Sequence, residues 1–173
     1  MANFKEDLVN IKAFIFDIDG VLSTQTISLN IFGTPDRTVN LRDGYALQHA
    51  VKKGYPVGVI SGSNSKEYQK RLKSLGIKDI YLNSHTKLDQ FQAFLKKHNL
   101  NKSDVLFMGD DIPDIEVMKQ AGVAVCPSDA DSEIKQVAAY VSDKKGGEGC
   151  VRDIIEQVLR LHNNWMNSDA FTW

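Results

Sequence analysis

With 173 residues, 42% of them hydrophobic and 25% charged, the chain has the composition of a globular protein able to bury a substantial core. A formal net charge of −1 excludes the broad basic footprint of a nucleic-acid or anionic-membrane binder. No apolar stretch reaches the ~20 residues of a membrane span, and the opening Met-Ala-Asn-Phe-Lys-Glu-Asp lacks the layout of a signal peptide.

Ala13–Phe16 is a short continuous apolar run, as in a strand buried on both faces of a parallel sheet, and it breaks into Asp17, Ile18, Asp19 and Gly20. Residues two apart in an extended chain point to one side, so Asp17 and Asp19 are expected to face one crevice. Paired buried carboxylates are unfavourable, and a cation is the simplest compensation. From this stretch alone, a plain polar turn at Asp19-Gly20 is the alternative. Ile27, Leu29 and Ile31 alternate with polar residues, as Thr38–Leu41 does more weakly, with Gly33-Thr34-Pro35-Asp36 as the turn between them. This predicts a projecting β-hairpin over about 26–41, marginal by itself and expected to pack on something.

The spacing of Ala46, Leu47, Ala50 and Val51 predicts a helix over about 45–53, ended by Gly54. A strand at 57–60 runs into Ser61-Gly62-Ser63-Asn64, followed by a helix at 66–75, closed by Gly76, and a strand at 80–82. Thr86 is expected to cap a helix from Lys87 to about His98. A strand at 105–108 ends in Gly109-Asp110-Asp111, followed by a helix at 115–121 and a strand at 123–125. A helix at 132–137, a strand at 140–141, and a last helix at 151–161 opened by Gly146-Gly147-Glu148-Gly149 complete the pattern. Such alternation implies one α/β domain over 1–173: a doubly wound, Rossmann-like parallel sheet with helices on both faces. Cys126 and Cys150 lack metal-ligand or redox spacing and are expected to be buried free thiols, as in a cytoplasmic protein. The tail 162–173 carries both tryptophans, Trp165 and Trp173, with Met166 and Phe171, and is expected to dock on the protein's own surface or on a neighbour.

The ends of the strong strands carry Asp17 and Asp19, Ser61 and Gly62, and Asp110 and Asp111. Ligands of open parallel sheets bind outside the carboxyl ends of the strands, so these residues are expected to meet, with Lys87 bordering the same crevice. Carboxylates beside a lysine suit Mg²⁺, and Ser61 with the backbone N–H groups after it suits a phosphate. Taken singly, Ser61 or Asp110 reads as a helix cap and Lys87 as a solvated lysine; their common position in the repeat argues for one site.

Asp17-Ile-Asp19-Gly-Val, then Ser61-Gly, then Lys87, then Gly109-Asp110-Asp111-x-x-Asp114 resemble, in order, the four motifs of the haloacid dehalogenase superfamily. Asn40-Leu-Arg-Asp-Gly-Tyr45, Gly109-Asp-Asp-Ile-Pro-Asp114 and Gly146-Gly-Glu-Gly-Cys-Val-Arg152 are similar to the 3-deoxy-D-manno-octulosonate 8-phosphate (Kdo 8-phosphate) phosphatases of lipopolysaccharide precursor synthesis. The resemblance implies Asp17 as nucleophile, Asp19 as general acid and base, and Ser61 and Lys87 as ligands of the transferring phosphoryl group. It implies Mg²⁺ held by the Asp17 carboxylate, the Asp19 backbone carbonyl and Asp110, with Asp111 and Asp114 orienting Lys87 or metal-bound water. Besides Asp19 and Lys87, substrate contacts are implied for Asn40, Leu41, Arg42, Asp43, Gly44, Gln48, Gly62, Ser63 and Arg71, with Arg42 or Arg71 facing a sugar carboxylate. Solvated surface charge is the alternative for both arginines. Ser63 stands where many of these phosphatases have arginine and related nine-carbon enzymes tend to have glutamate, which leaves the exact sugar acid open.

Only 41 residues lie between Asp19 and Ser61 and 25 between Ser61 and Lys87, too few for a cap domain beside the expected elements. The resemblance then implies a homotetramer in which a neighbouring subunit covers each site. The competing readings are a phosphatase of another sugar-acid phosphate, such as 2-keto-3-deoxy-nononate 9-phosphate, and a phospho-receiver signalling domain. A receiver places its phosphorylated Asp after the third strand, where this chain has Asn83-Ser84-His85.

Overall fold

The structure is a computed structural model that describes residues 4–172; Trp173 of the tail and the first three residues lie outside the described part. A short helix, α1 (Phe4–Leu8), precedes strand β1 (Ala13–Phe16), and the hairpin strands β2 (Ser28–Leu29) and β3 (Pro35–Asp36) follow. Then come α2 (Leu41–Lys52), β4 (Val57–Ile60), α3 (Lys66–Ser74), β5 (Asp79–Tyr81) and α4 (Lys87–His98). The second half runs β6 (Val105–Met108), α5 (Ile115–Met118), β7 (Val123–Cys126), α6 (Ser132–Val137), β8 (Tyr140–Val141) and α7 (Cys150–Leu161).

Six strands form one parallel sheet in the order β5-β4-β1-β6-β7-β8. The apolar run at 13–16 thus becomes the central strand, which explains why all four of its residues are buried. Its side chains alternate between the two faces. Phe14 and Phe16 pack with Leu47 of α2, Leu72 of α3 and Ile154 and Val158 of α7, whereas Ala13 and Ile15 pack with Phe91 and Phe94 of α4, Val117 of α5 and Ile134 of α6. Strand order reverses at β1: the chain first builds outward through β4 and β5, then returns to add β6, β7 and β8 on the other side. The crevice between the two directions of winding opens above the carboxyl ends of β1, β4 and β6.

Several boundaries differ from those expected. Helix α2 begins at Leu41, not near Tyr45, because the Asn40 side chain accepts hydrogen bonds from the N–H groups of Arg42 and Asp43 at 2.9 and 3.2 Å. The hairpin is shorter than 26–41. Its tip spans 30–34, closed by the Asn30 carbonyl side chain accepting from Phe32 and Thr34, so Pro35 and Asp36 belong to a strand and not to the turn. Thr38–Leu41 pairs with no strand, and Thr38 instead bonds Ser23 and Thr24. Thr86 occupies the N-cap position of α4 but makes no capping bond. The helix expected at 115–121 is one turn of 3₁₀ helix (Ile112–Asp114) followed by the four residues of α5. Pro113 suits such a start, since a helix's first N–H groups have no internal partner. Helix α1 went unforeseen.

The tail folds back on its own chain at Trp165, which is 4% exposed. Its indole meets the rings of Tyr45 and His49 edge-on and carries the Arg152 guanidinium 5.2 Å from its centre. Met166 and Phe171 remain exposed. Both cysteines are buried free thiols, and no helix among the described residues is long and apolar enough to cross a membrane.

Candidate active site

Above the carboxyl edge of the sheet lies a cleft of about 1020 Å³, with Asp17, Asp19, Ser61, Lys87, Asp110 and Asp114 among the residues that line it. The fold explains the gathering. Strands β4, β1 and β6 are neighbours, so the residues that follow them stand side by side, and α4 brings Lys87 in from its first turn. Gly20 lets the β1 loop and Asp110 approach each other. Its φ is +78°, and a Cβ there would lie 1.9 Å from Asp110 Oδ2.

Lys87 is buried and bridges two acids: its Nζ donates to Asp17 Oδ2 at 2.6 Å and to Asp114 Oδ1 at 2.7 Å. Asp114 Oδ2 accepts from the backbone N–H of Asp110 at 3.1 Å, which ties the β6 loop to the same lysine. Asp17 Oδ1 accepts from the N–H of Ile18. Burial, followed by the Asp114 carboxylate, raises the Asp17 pKa to about 6 against the opposing pull of Lys87. Burial and the Asp17 charge raise Asp110 to about 7. Burial works against the Lys87 ammonium, yet Asp17 and Asp114 together outweigh it and hold its pKa above the usual lysine range.

These shifts describe a site short of positive charge. Carboxylate oxygens of Asp17, Asp110 and Asp114 lie within 4.8 Å of one another, and Lys87 pairs with only Asp17 and Asp114. A hard divalent cation with oxygen ligands fits that deficit, and Asp110, which Lys87 does not reach, supplies an oxygen beside Asp17.

The remaining cleft residues divide. Ser61 is buried, and its Oγ accepts from the N–H of Ser63 at 3.2 Å, while the Ser63 hydroxyl is buried with no partner among the described residues. Gly62 lines the cleft between them. Asp111 lines it too, but its carboxylate caps the 3₁₀ turn through Ile112 N–H at 2.8 Å and is not bonded to Lys87. Asp19 lies at the mouth, held by Arg37 at 2.7 and 2.9 Å. Sequence spacing had no means of finding Arg37, a lone cation between a hairpin and a helix. Nor did it single out Gln25, whose amide donates to Asp110 Oδ2 at 3.2 Å.

No residue of 40–48 lines the cleft that holds Asp17 and Asp110. Asn40 caps α2 and donates to the Gly147 carbonyl, Leu41 is exposed, and Arg42 borders a separate cleft with Arg152 and Arg160. Gln48 is half-buried on the same helix. Gly44 sits under the Arg71 guanidinium, where a Cβ would lie 2.9 Å from Nη2, and Arg71 opens into a groove between α3 and the hairpin that also holds Arg37. Asp43 is 2% exposed and accepts from the N–H of Arg152 at 2.7 Å, joining α2 to the start of α7. Burial raises its pKa to about 6, against the N–H groups of Arg152 and Gly149.

A pH effect follows from Asp43. Its folded pKa lies above the unfolded value, so the folded state holds the proton more tightly. The ionised group therefore opposes folding increasingly as pH rises from about 4, and fully above about 6. In wild type this contribution amounts to roughly 2–3 kcal/mol lost across that window. Asp43→Asn, with an amide oxygen still able to accept from Arg152, is expected to flatten the fall of stability between pH 4 and 7. Parallel denaturant titrations of the two proteins over that range check it, and identical slopes would exclude the effect.

A family model for haloacid dehalogenase-like hydrolases matches residues 36–122. The chain is 34% identical over 150 residues to the 3-deoxy-D-manno-octulosonate 8-phosphate phosphatase KdsC of Salmonella typhi, covering 87% of this chain and 80% of that protein. The KdsC of Yersinia pestis is 33% identical over the same shares. The crystal structure of the Yersinia pestis phosphatase superposes with a TM-score of 0.89 at 30% identity, over 93% of this chain and 87% of that one. The Moraxella catarrhalis phosphatase, solved with magnesium, phosphate and KDO, gives 0.89 at 31% identity over 95% and 94%.

Proposed function

This chain belongs to the haloacid dehalogenase-like hydrolases, and on that premise we propose that it is a Mg²⁺-dependent phosphatase that converts Kdo 8-phosphate to the free sugar acid and phosphate. The observation that carries the reading is Lys87 bridging Asp17 and Asp114 at the floor of the acid-lined cleft, with Asp110 beside them. That constellation suits a phosphate ester once a divalent cation is bound, because the cation and Lys87 together would offset the charges of the acids and of the phosphate dianion.

Asp17, at the end of β1, attacks phosphorus and forms an aspartyl-phosphate. Asp19 gives a proton to the leaving sugar oxygen and then takes one from the water that hydrolyses the intermediate. Lys87 and the Ser61 hydroxyl hold the transferring oxygens, and Asp114 keeps Lys87 extended toward Asp17. The Asp17 and Asp110 carboxylates and the Asp19 carbonyl would hold Mg²⁺, which would supply charge to offset the repulsion between carboxylate and phosphate.

Substrate contacts from Asn40, Leu41, Arg42, Asp43, Gly44, Gln48 and Arg71 are part of this reading. That none of them lines the acid-bearing cleft supports completion of each site by a neighbouring subunit in a homotetramer. So do Leu29, Ile31 and Phe32, which the hairpin leaves exposed. The buried free thiols Cys126 and Cys150 support a reducing, cytoplasmic setting. The absence of an acid at the end of β5, in Leu82-Asn83, weighs against a receiver domain.

The test is phosphate release with Mg²⁺ from Kdo 8-phosphate and from 2-keto-3-deoxy-nononate 9-phosphate, on a preparation sized by light scattering. The eight-carbon ester is expected to have the higher kcat/KM, on a tetramer, with turnover abolished by chelation. A preference for the nine-carbon ester would reassign the substrate. A fully active monomer would remove the role of the neighbour.

A further inference from the structure

Arg37 is assigned no part in the chemistry above, yet it makes the most specific polar contact at the cleft mouth. Its Nε donates to Asp19 Oδ1 at 2.7 Å and its Nη2 to Asp19 Oδ2 at 2.9 Å. The fork is built, not incidental. The Arg37 side chain is 11% exposed although its neighbours Asp36 and Thr38 are exposed. Thr38 anchors the backbone beside the β1 loop: its N–H donates to Ser23 Oγ at 2.9 Å, and its hydroxyl accepts from the N–H of Thr24 at 3.0 Å.

We propose that Arg37 is a positioning residue that holds the Asp19 carboxyl group in its working orientation toward the leaving oxygen. The proposal rests on the proton-transfer role of Asp19 given above. An Asp side chain 42% exposed at a cleft mouth has several staggered rotamers open to it. A bidentate guanidinium selects one, because both oxygens must meet the planar fork together. Each carboxyl oxygen has two lone-pair sites, so a fork that takes one on each leaves one free to carry the proton that passes to the leaving oxygen and afterwards to take one from the water. The hairpin thereby acquires a function inside its own subunit: it delivers the residue that orients the acid.

Esters that differ in leaving group separate this role from a structural one. A sugar-alcohol phosphate needs a proton on its departing oxygen, whereas p-nitrophenolate departs without one. Arg37→Ala is expected to lower kcat/KM about 100-fold for Kdo 8-phosphate and less than about 5-fold for p-nitrophenyl phosphate, the size of effect usual for a general acid out of place. Arg37→Lys, one donor without the fork, is expected to fall between alanine and wild type, and Arg37→Gln serves if the alanine variant melts early. Equal losses on both esters, or none, would overturn the proposal. Asp19→Asn measured alongside separates the two assignments. If it shows the split and Arg37→Ala does not, the positioning role fails alone. If it shows no split, the role of Asp19 fails and takes Arg37 with it.

Discussion

Replacing Asp17 by asparagine is expected to lower kcat by on the order of 10⁴-fold or more, the scale on which removing a nucleophile acts. Asparagine has nearly the same shape but one acceptor oxygen in place of two, so it can accept from Lys87 or from the N–H of Ile18, not both, and the Lys87–Asp114 pair remains to hold the cleft. What is lost is the nucleophilic oxygen and its charge. Stability should not fall with it. The folded pKa of Asp17 lies near 6, above the ordinary value of 3.8, so the ionised carboxylate opposes folding at neutral pH and the amide does not. The informative measurement is therefore a pair: steady-state phosphate release and a thermal melt without metal. Activity within tenfold of wild type would disprove the nucleophile assignment. A collapsed melting transition would instead show that Asp17 is needed for the fold.

The second large effect falls on Lys87. Alanine there removes the one cation from between two buried carboxylates and leaves Asp17 and Asp114 facing each other near Asp110. Breaking a buried pair in this way costs about 3–5 kcal/mol, which for a protein of this length is a melting temperature lower by roughly 10 °C. The turnover number should drop about 10²–10³-fold as well if, as proposed, Lys87 is a preorganised donor to the phosphoryl oxygens. The stability loss has a pH signature. Lys87 lowers the Asp17 pKa, so without it the carboxyl is protonated more readily in the folded state. The deficit relative to wild type should thus shrink toward pH 5 and widen toward pH 8. Chemical denaturation at both pH values measures it. A deficit that is the same at both, or absent at pH 8, would mean that the acids are compensated by something other than this lysine.

Much of this was readable from residue order. The run at 13–16 is apolar at every position because it lies at the centre of a parallel sheet, and a strand covered on both faces has no polar side to reveal. Strands β4 and β6 are apolar runs of the same kind, and the polar residues of the site follow β1, β4 and β6 because there a buried strand meets water. Local competition moved the boundaries. Asn40 could start a helix through two N–H groups four residues before apolar spacing resumes, and Thr38 gave its hydroxyl to Ser23 and Thr24 where alternation suggested a strand. Patterns of apolar residues report burial, whereas capping and side-chain bonds to backbone are decided residue by residue.

By itself, then, the sequence determined the class of fold, the acids and lysine that share one cleft, and the absence of room for a cap, because each depends on order and spacing along the chain. Only the tertiary structure decided who partners whom. Lys87 divides its charge between Asp17 and Asp114, Asp111 turns to a helix cap, Asp43 is sealed between α2 and α7, and Asp19 is clasped by Arg37 from 18 residues away. Those pairings depend on distances between segments that no local pattern encodes, and charge–charge energy depends on distance and burial before it depends on sequence.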